Sequence, residues 1–168
     1  MLALNAAARG LVIPKLAVYE PPFIVDRTRD PVPEDFIPGL QRLLAEGNRS
    51  EVVKRFMRMV GMPGILIALM RFFPNWSKLA ALAHTVPYDL TTMDGTQSGR
   101  PLPKDRWAAV RAPCLVIDGG KSPQWMRNGA KALHDLLPGS TYQTLPGQTH
   151  MVKAEVLAPP LIEFFSRG

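Results

Sequence analysis

Cysteine is almost missing from this sequence. The one thiol, Cys114, excludes a disulfide within the chain and fits a reducing compartment. Long apolar runs are missing too: the longest, Gly64 to Met70, is too short to span a bilayer and ends at Arg71. Charge is not blocked into patches. The 20 Lys and Arg and 14 Asp and Glu leave a net charge of +6, scattered and without interleaved aromatics. That pattern reads as solvated faces, so neither a nucleic-acid partner nor a membrane is expected. Histidine is scarce, and His84, His134, His150 and Cys114 show no metal-ligand spacing. There is no Gly-rich phosphate loop, so no metal and no cofactor are expected. The first residues are apolar but lack a basic n-region and a small-residue cleavage site. No signal peptide is read there, and a cytoplasmic location is expected.

What is present is a hydrophobic content of 46% over 168 residues, enough for one globular domain, heavily punctuated by 17 prolines. Met1 to Arg9 reads as an alanine-rich helix stopping at Gly10, with no Ser, Thr, Asp or Asn ahead of it to cap its free N–H groups. Lys15–Tyr19 and Cys114–Asp118 are short continuous apolar runs, the signature of strands covered on both faces. Thr141–Leu145 reads as a third strand, broken by Pro146-Gly147.

Between the first two strands the chain reads as helical from about Asp35 to Thr85. Phe36–Glu46 comes first, and Asn48 with Glu51 then has capping-box spacing ahead of a Val52, Val53, Phe56, Met59 stripe. Ile65 to Phe73, apolar nearly all round, is expected to be buried or to face a cavity. A further helix from Trp76 is expected to stop at His84 or Thr85, before Pro87, with Tyr88–Pro103 as a loop and Asp105–Val110 as a short helical turn. Trp125–Leu137 is amphipathic. Lys153–Phe165 closes the chain as a helix that Pro159 and Pro160 start late or kink.

The alternation predicts an α/β fold: a partial parallel sheet of about three strands, flanking helices and a helical insertion. Residues 1–25 and 101–168 form the α/β part, and 26–100 the insertion. Ligands of such sheets gather at the carboxyl ends of the strands. Glu20, the Gly119–Ser122 loop and His150 all fall there. Histidine exchanges a proton near neutral pH, and a loop just past a strand gives it access. An idle surface-loop histidine is the other reading, and the stretch alone favours it. Glu20 equally reads as a strand-end glutamate bonded to loop backbone. The Met, Phe and Trp of the insertion read first as core, and also suit an adaptable apolar pocket.

The run Cys114-Leu115-Val116-Ile117-Asp118-Gly119-Gly120, an amphipathic helix, then Leu145-Pro146-Gly147-Gln148-Thr149-His150, resembles the C-terminal half of the α/β-hydrolase family. The helical insertion resembles that family's cap, and the likeness covers essentially the whole chain. It implies that His150 is the general base of an esterase-like hydrolase for a small hydrophobic substrate. It implies a pocket drawing on Pro21, Phe23, Met70, Phe73, Trp76 and Trp125. The commoner place for the triad acid holds Ser122, which cannot form an ionic hydrogen bond. Some members, haloalkane dehalogenases among them, carry the acid after the earlier strand, where Glu20 stands. Asp118 and Asp94 are lesser candidates. The segment from Leu2 to Arg9 resembles the helix that follows a Gly-x-Ser-x-Gly nucleophile elbow, yet no Gly-x-Ser-x-Gly occurs in the sequence. The resemblance therefore implies that nucleophile and oxyanion donors lie outside this chain, which would be inactive alone, or that its start is misplaced. The alternative is a non-catalytic binding module or gene remnant. Its apolar strand edge at Lys15–Tyr19 would favour a homodimer or call for the missing N-terminal half.

Overall fold

A computed structural model describes residues 1–167. In chain order the elements are α1 (Leu2–Ala8), β1 (Leu16–Tyr19), α2 (Phe36–Ala45), α3 (Arg49–Met59), α4 (Gly64–Met70) and α5 (Trp76–Leu82). A 3-10 turn (Ala83–Thr85) leads into α6 (Val86–Thr91), followed by β2 (Cys114–Gly119), α7 (Gln124–Leu136), β3 (Thr141–Leu145) and α8 (Ala154–Ser166). They form two compact units, Met1–Pro31 with Gly95–Gly168, and Val32–Asp94.

The first unit is built on one open sheet of three parallel strands in the order β1-β2-β3. Leu16 stands opposite Cys114 and Tyr19 opposite Ile117. On the other side of β2, Leu115 pairs with Thr141 and Gly119 with Leu145. Parallel strands need crossovers, and here the second crossover is α7. Every residue of β2 is buried. Side chains alternate along a strand, so β2 feeds two cores at once. Cys114 and Val116 join Leu4, Phe23, Trp107 and Leu133 on one face. Leu115 and Ile117 join Leu145 on the other, against Val156, Leu161 and Phe164 of α8. A strand covered on both faces is apolar on both, which is why Cys114–Ile117 is continuous rather than alternating; the one charged residue of β2, Asp118, comes at its end. Trp107 binds the first of these cores together. Its ring stacks on Phe23 with centroids 5.5 Å apart, and its Nε1–H donates to Asn5 Oδ1 of α1 at 2.9 Å.

The second unit, inserted between β1 and β2, is all helix. Its core holds Leu40, Val52, Val53, Ile67, Trp76 and Leu90, and Trp76 donates from Nε1 to Ser50 Oγ at 3.1 Å. Four local expectations need correction. Only Ile67 of α4 is buried, and Phe72 and Phe73 are 87% and 63% exposed. A helix of two turns presents one narrow face to so small a core. Asn48 makes no side-chain cap; Glu51 pairs instead with Lys54 at 2.5 Å and Arg58 at 3.3 Å. Helix continues past Pro87, because a proline in the first turn of α6 gives up only an N–H that had no helical partner. Residues 104–109 form turns and no helix.

The closing helix does not start late at its prolines. α8 begins at Ala154 and carries Pro159 and Pro160 inside. Neither can donate a helical hydrogen bond, and this helix has no fully buried residue. No helix among the described residues is long and apolar enough to cross a membrane.

Candidate active site

Glu20 follows the last residue of β1, and its N–H still bonds to the ladder, donating to Ile117 O at 3.0 Å. Its backbone then turns into the left-handed region at φ +39°, which a residue with a Cβ seldom adopts. Such strain persists only where the surroundings impose it, and it gathers at functional sites. The carboxylate is 1% exposed and used on both oxygens. Oε1 accepts the Gly119 N–H at 2.7 Å, and Oε2 lies 3.1 Å from His150 Nδ1. A buried carboxylate without partners would be very costly. Here one backbone donor and one imidazole satisfy it. Glu20 thus bonds to backbone at the end of β2 and also meets the histidine.

His150 reaches this carboxylate because the chain reverses after β3. Gly147 takes φ +73°, where a Cβ would be strained. The loop is then pinned from two sides. Gln148 O accepts the Lys121 N–H at 2.8 Å, and Gln148 Oε1 accepts the Lys153 N–H at 3.1 Å. A carboxylate that only accepts would make Nδ1 the donor and leave the lone pair on Nε2. The His150 side chain is 52% exposed, so this basic nitrogen belongs to an accessible ring.

Two residues at the same edge had no assigned part in the sequence reading. Gly119 opens the Gly119–Ser122 stretch; its N–H is the second bond to Glu20, and a Cβ on it would lie 2.6 Å from Gln148 O. Tyr19 was a strand residue. Its hydroxyl donates to Thr149 O at 2.6 Å, and its ring stacks on His150 with centroids 6.5 Å apart. No spacing rule finds either one, since both act through contacts far along the chain.

Burial, with the charges of Glu20 and then Asp118, pushes the Tyr19 phenol up to about 12 from its ordinary 10.0. A phenol that holds its proton more tightly in the folded chain stabilises the fold fully below about pH 10, and that contribution is lost as pH rises towards about 12. Urea titrations across that window should therefore show wild type losing stability faster with pH than Tyr19→Phe. Parallel curves would refute the shift.

The other candidates stand elsewhere. Asp118 is fully buried, but its Oδ2 accepts from Arg127 Nε at 3.0 Å and from the Tyr142 hydroxyl at 2.7 Å, so it braces α7 and β3. Ser122 is buried and its Oγ has no hydrogen-bond partner among the described residues. Asp94 is exposed at the end of the second unit. In the first unit, Pro21 and Phe23 are buried against Gly129 of α7, and Trp125 lies under the Arg29 guanidinium, 4.1 Å from its ring centroid. In the second, Met70 packs against the core, Trp76 lies within it and Phe73 is exposed.

One serine lies against a histidine, Ser140 Oγ to His134 Nδ1 at 2.8 Å, but it is not placed as a nucleophile. The hydroxyl is spent on the carbonyls of His134 and Leu137, closing the end of α7. No group of three His, Cys, Asp or Glu among the described residues could hold a metal.

No protein-family model and no curated protein matches the chain. Among solved structures it is similar to an α/β hydrolase from Sphaerobacter thermophilus DSM 20745, with 46% sequence identity and a TM-score of 0.80. That match covers 98% of this chain and 63% of the other, so this chain spans less than two thirds of the hydrolase it matches. A deformylase from Pseudomonas putida S16 is similar at 17% identity and a TM-score of 0.49, over 98% of this chain and 62% of that one, a likeness too slight to bear on fold or function. With nearly half its residues shared with a solved hydrolase along almost its whole length, and with the parallel sheet and flanking helices described above, the chain belongs to the α/β-hydrolase family.

Proposed function

We propose that this chain supplies the histidine and carboxylate of a hydrolase active site, with His150 as general base and Glu20 as its acid, acting on a small hydrophobic substrate such as an ester. One observation carries the reading: a buried carboxylate, anchored on one oxygen by Gly119 N–H, meets the Nδ1 side of an accessible imidazole at 3.1 Å. The nucleophile comes from the part of the family fold that this chain does not span, since no Gly-x-Ser-x-Gly occurs in its sequence.

His150 Nε2 takes the proton of the attacking hydroxyl as its oxygen bonds to the acyl carbon. Glu20 steadies the imidazolium that forms. The same proton passes to the leaving alkoxide as the ester C–O bond breaks, and water repeats the sequence to free the acid. The insertion resembles the family's cap, and within it Phe72 and Phe73 are exposed apolar side chains of the kind that suit a hydrophobic ligand.

Two measurements test this. The chain alone should release 4-nitrophenol from 4-nitrophenyl butyrate no faster than buffer, because it lacks both nucleophile and oxyanion donors. Rapid turnover that disappears in His150→Ala would place a nucleophile inside the chain. Nitrogen-15 NMR should find His150 protonated on Nδ1 when neutral, with that proton moving upfield in Glu20→Gln. A neutral ring protonated on Nε2 would overturn the pairing and leave a non-catalytic module as the reading.

A further inference from the structure

We infer that Tyr19 is a positioning residue for His150: its hydroxyl fastens the histidine loop to the strand that carries Glu20. The inference rests on the reading of His150 and Glu20 as a base and its acid, and adds to it the device that holds the two in register.

The need for such a device follows from topology. Glu20 stands at the end of β1 and His150 beyond the end of β3, and β2 lies between those strands. A loop that starts two strands away must be carried across the sheet edge and held there. The bonds from Lys121 N–H and Lys153 N–H to Gln148 tie the loop to the end of β2 and to its own downstream backbone. Neither reaches β1. The Tyr19 hydroxyl does, donating to the carbonyl of Thr149, the residue directly before His150, at 2.6 Å. The same ring lies beside the imidazole, 6.5 Å between centroids and 26° between planes.

Two adjacent residues of one strand ordinarily point to opposite faces. Tyr19 and Glu20 nevertheless reach the same loop, one to its backbone and the other to its histidine. The left-handed turn at Glu20, φ +39°, is what interrupts the alternation. The strain at the acid thus has a structural purpose: it brings a hydroxyl and a carboxylate from consecutive positions onto one target. A phenol at its ordinary 10.0 is already protonated throughout the range in which an imidazole titrates, and burial and then the Glu20 charge only raise it further. The tie therefore does not let go when the histidine takes a proton. Its donor faces a neutral carbonyl, so it neither adds charge to the site nor competes with His150 for Glu20.

Tyr19→Phe removes the hydroxyl and keeps the ring. The expected result is an unchanged melting temperature within a few degrees, together with about tenfold faster solvent exchange of the His150 Nδ1 proton and a broadened ring nitrogen signal, equivalent to about 1.4 kcal/mol of lost preference for the paired geometry. A merely structural tyrosine would lower the melting temperature and leave the histidine signals in place. If the Nδ1 proton of Tyr19→Phe exchanges at the wild-type rate, the inference fails. Glu20→Gln separates the two ideas: a wild-type Nδ1 proton that responds to Glu20→Gln but not to Tyr19→Phe keeps the acid–base pair and rejects the tyrosine, whereas a wild type with no Nδ1 proton rejects the pair itself. Should Tyr19→Phe unfold, the wild type still decides. A slowly exchanging Tyr19 hydroxyl proton with a cross-peak to the Thr149–His150 backbone supports the tie, and a hydroxyl in free exchange overturns it.

Discussion

Gly119→Ala should destabilise the first unit by about 1–3 kcal/mol and separate His150 from Glu20. The Cβ would sit 2.6 Å from Gln148 O and 2.8 Å from both Gln148 C and Ser122 Oγ. Two of those atoms are backbone, so no side-chain rotation relieves the overlap. Either β2 or the Pro146–Thr149 loop must move. Gly119 also donates to Glu20 Oε1 at 2.7 Å, and moving it leaves a buried carboxylate short of one bond. The loop carries Gln148, whose carbonyl holds Lys121, and then His150. One added methyl thus reaches the anchor of the acid and the seat of the base together. A lowered urea midpoint with loss of the His150 Nδ1 proton signal is the expected outcome. A variant with wild-type stability and an intact signal would mean that the two loops yield at no cost.

Trp107→Ala should cost more, about 3–5 kcal/mol, the range for removing a fully buried aromatic. Trp107 is 1% exposed, stacks on Phe23 and is hydrogen-bonded to Asn5. Phe23 lies three residues past Glu20, with its backbone against α7 at Gly129. A cavity at Trp107 therefore loosens the segment that leaves β1 beside the acid. Trp107→Phe separates the parts: it keeps a stacking ring and gives up the bond to Asn5, so it should cost about 1 kcal/mol for the bond, with a smaller packing loss. Urea unfolding followed by circular dichroism checks both. Equal losses in the two variants would show that the hydrogen bond, and not the ring, carries the stability.

How much of this could be read from residues alone depended on range. β2 was legible because burial on both faces leaves a continuous apolar run, and α7 because one face of it is covered. The helical insertion was legible as a class but not in detail. α4 is apolar all round and still mostly exposed, since hydrophobicity in a sequence says what a residue prefers and not whether the core has room for it. Pro87 was read as a stop because a proline's meaning depends on its place in a helix, and it falls in the first turn of α6.

At the site, the sequence by itself determined the actors at the strand ends. A glutamate after one apolar strand and a histidine after another share the carboxyl edge once the strands are parallel, because parallel strands all end on the same edge. Tertiary structure alone decided their partners. Which of the carboxylates Glu20, Asp118 and Asp94 stands beside His150 depended on which way each side chain turns. Asp118 turns back to Arg127 and Tyr142, Ser122 finds no partner, and Glu20 meets His150 through a backbone angle that no pattern of residues announces. The physical reason is that side-chain direction is set by long-range contacts and local strain, which periodicity does not encode.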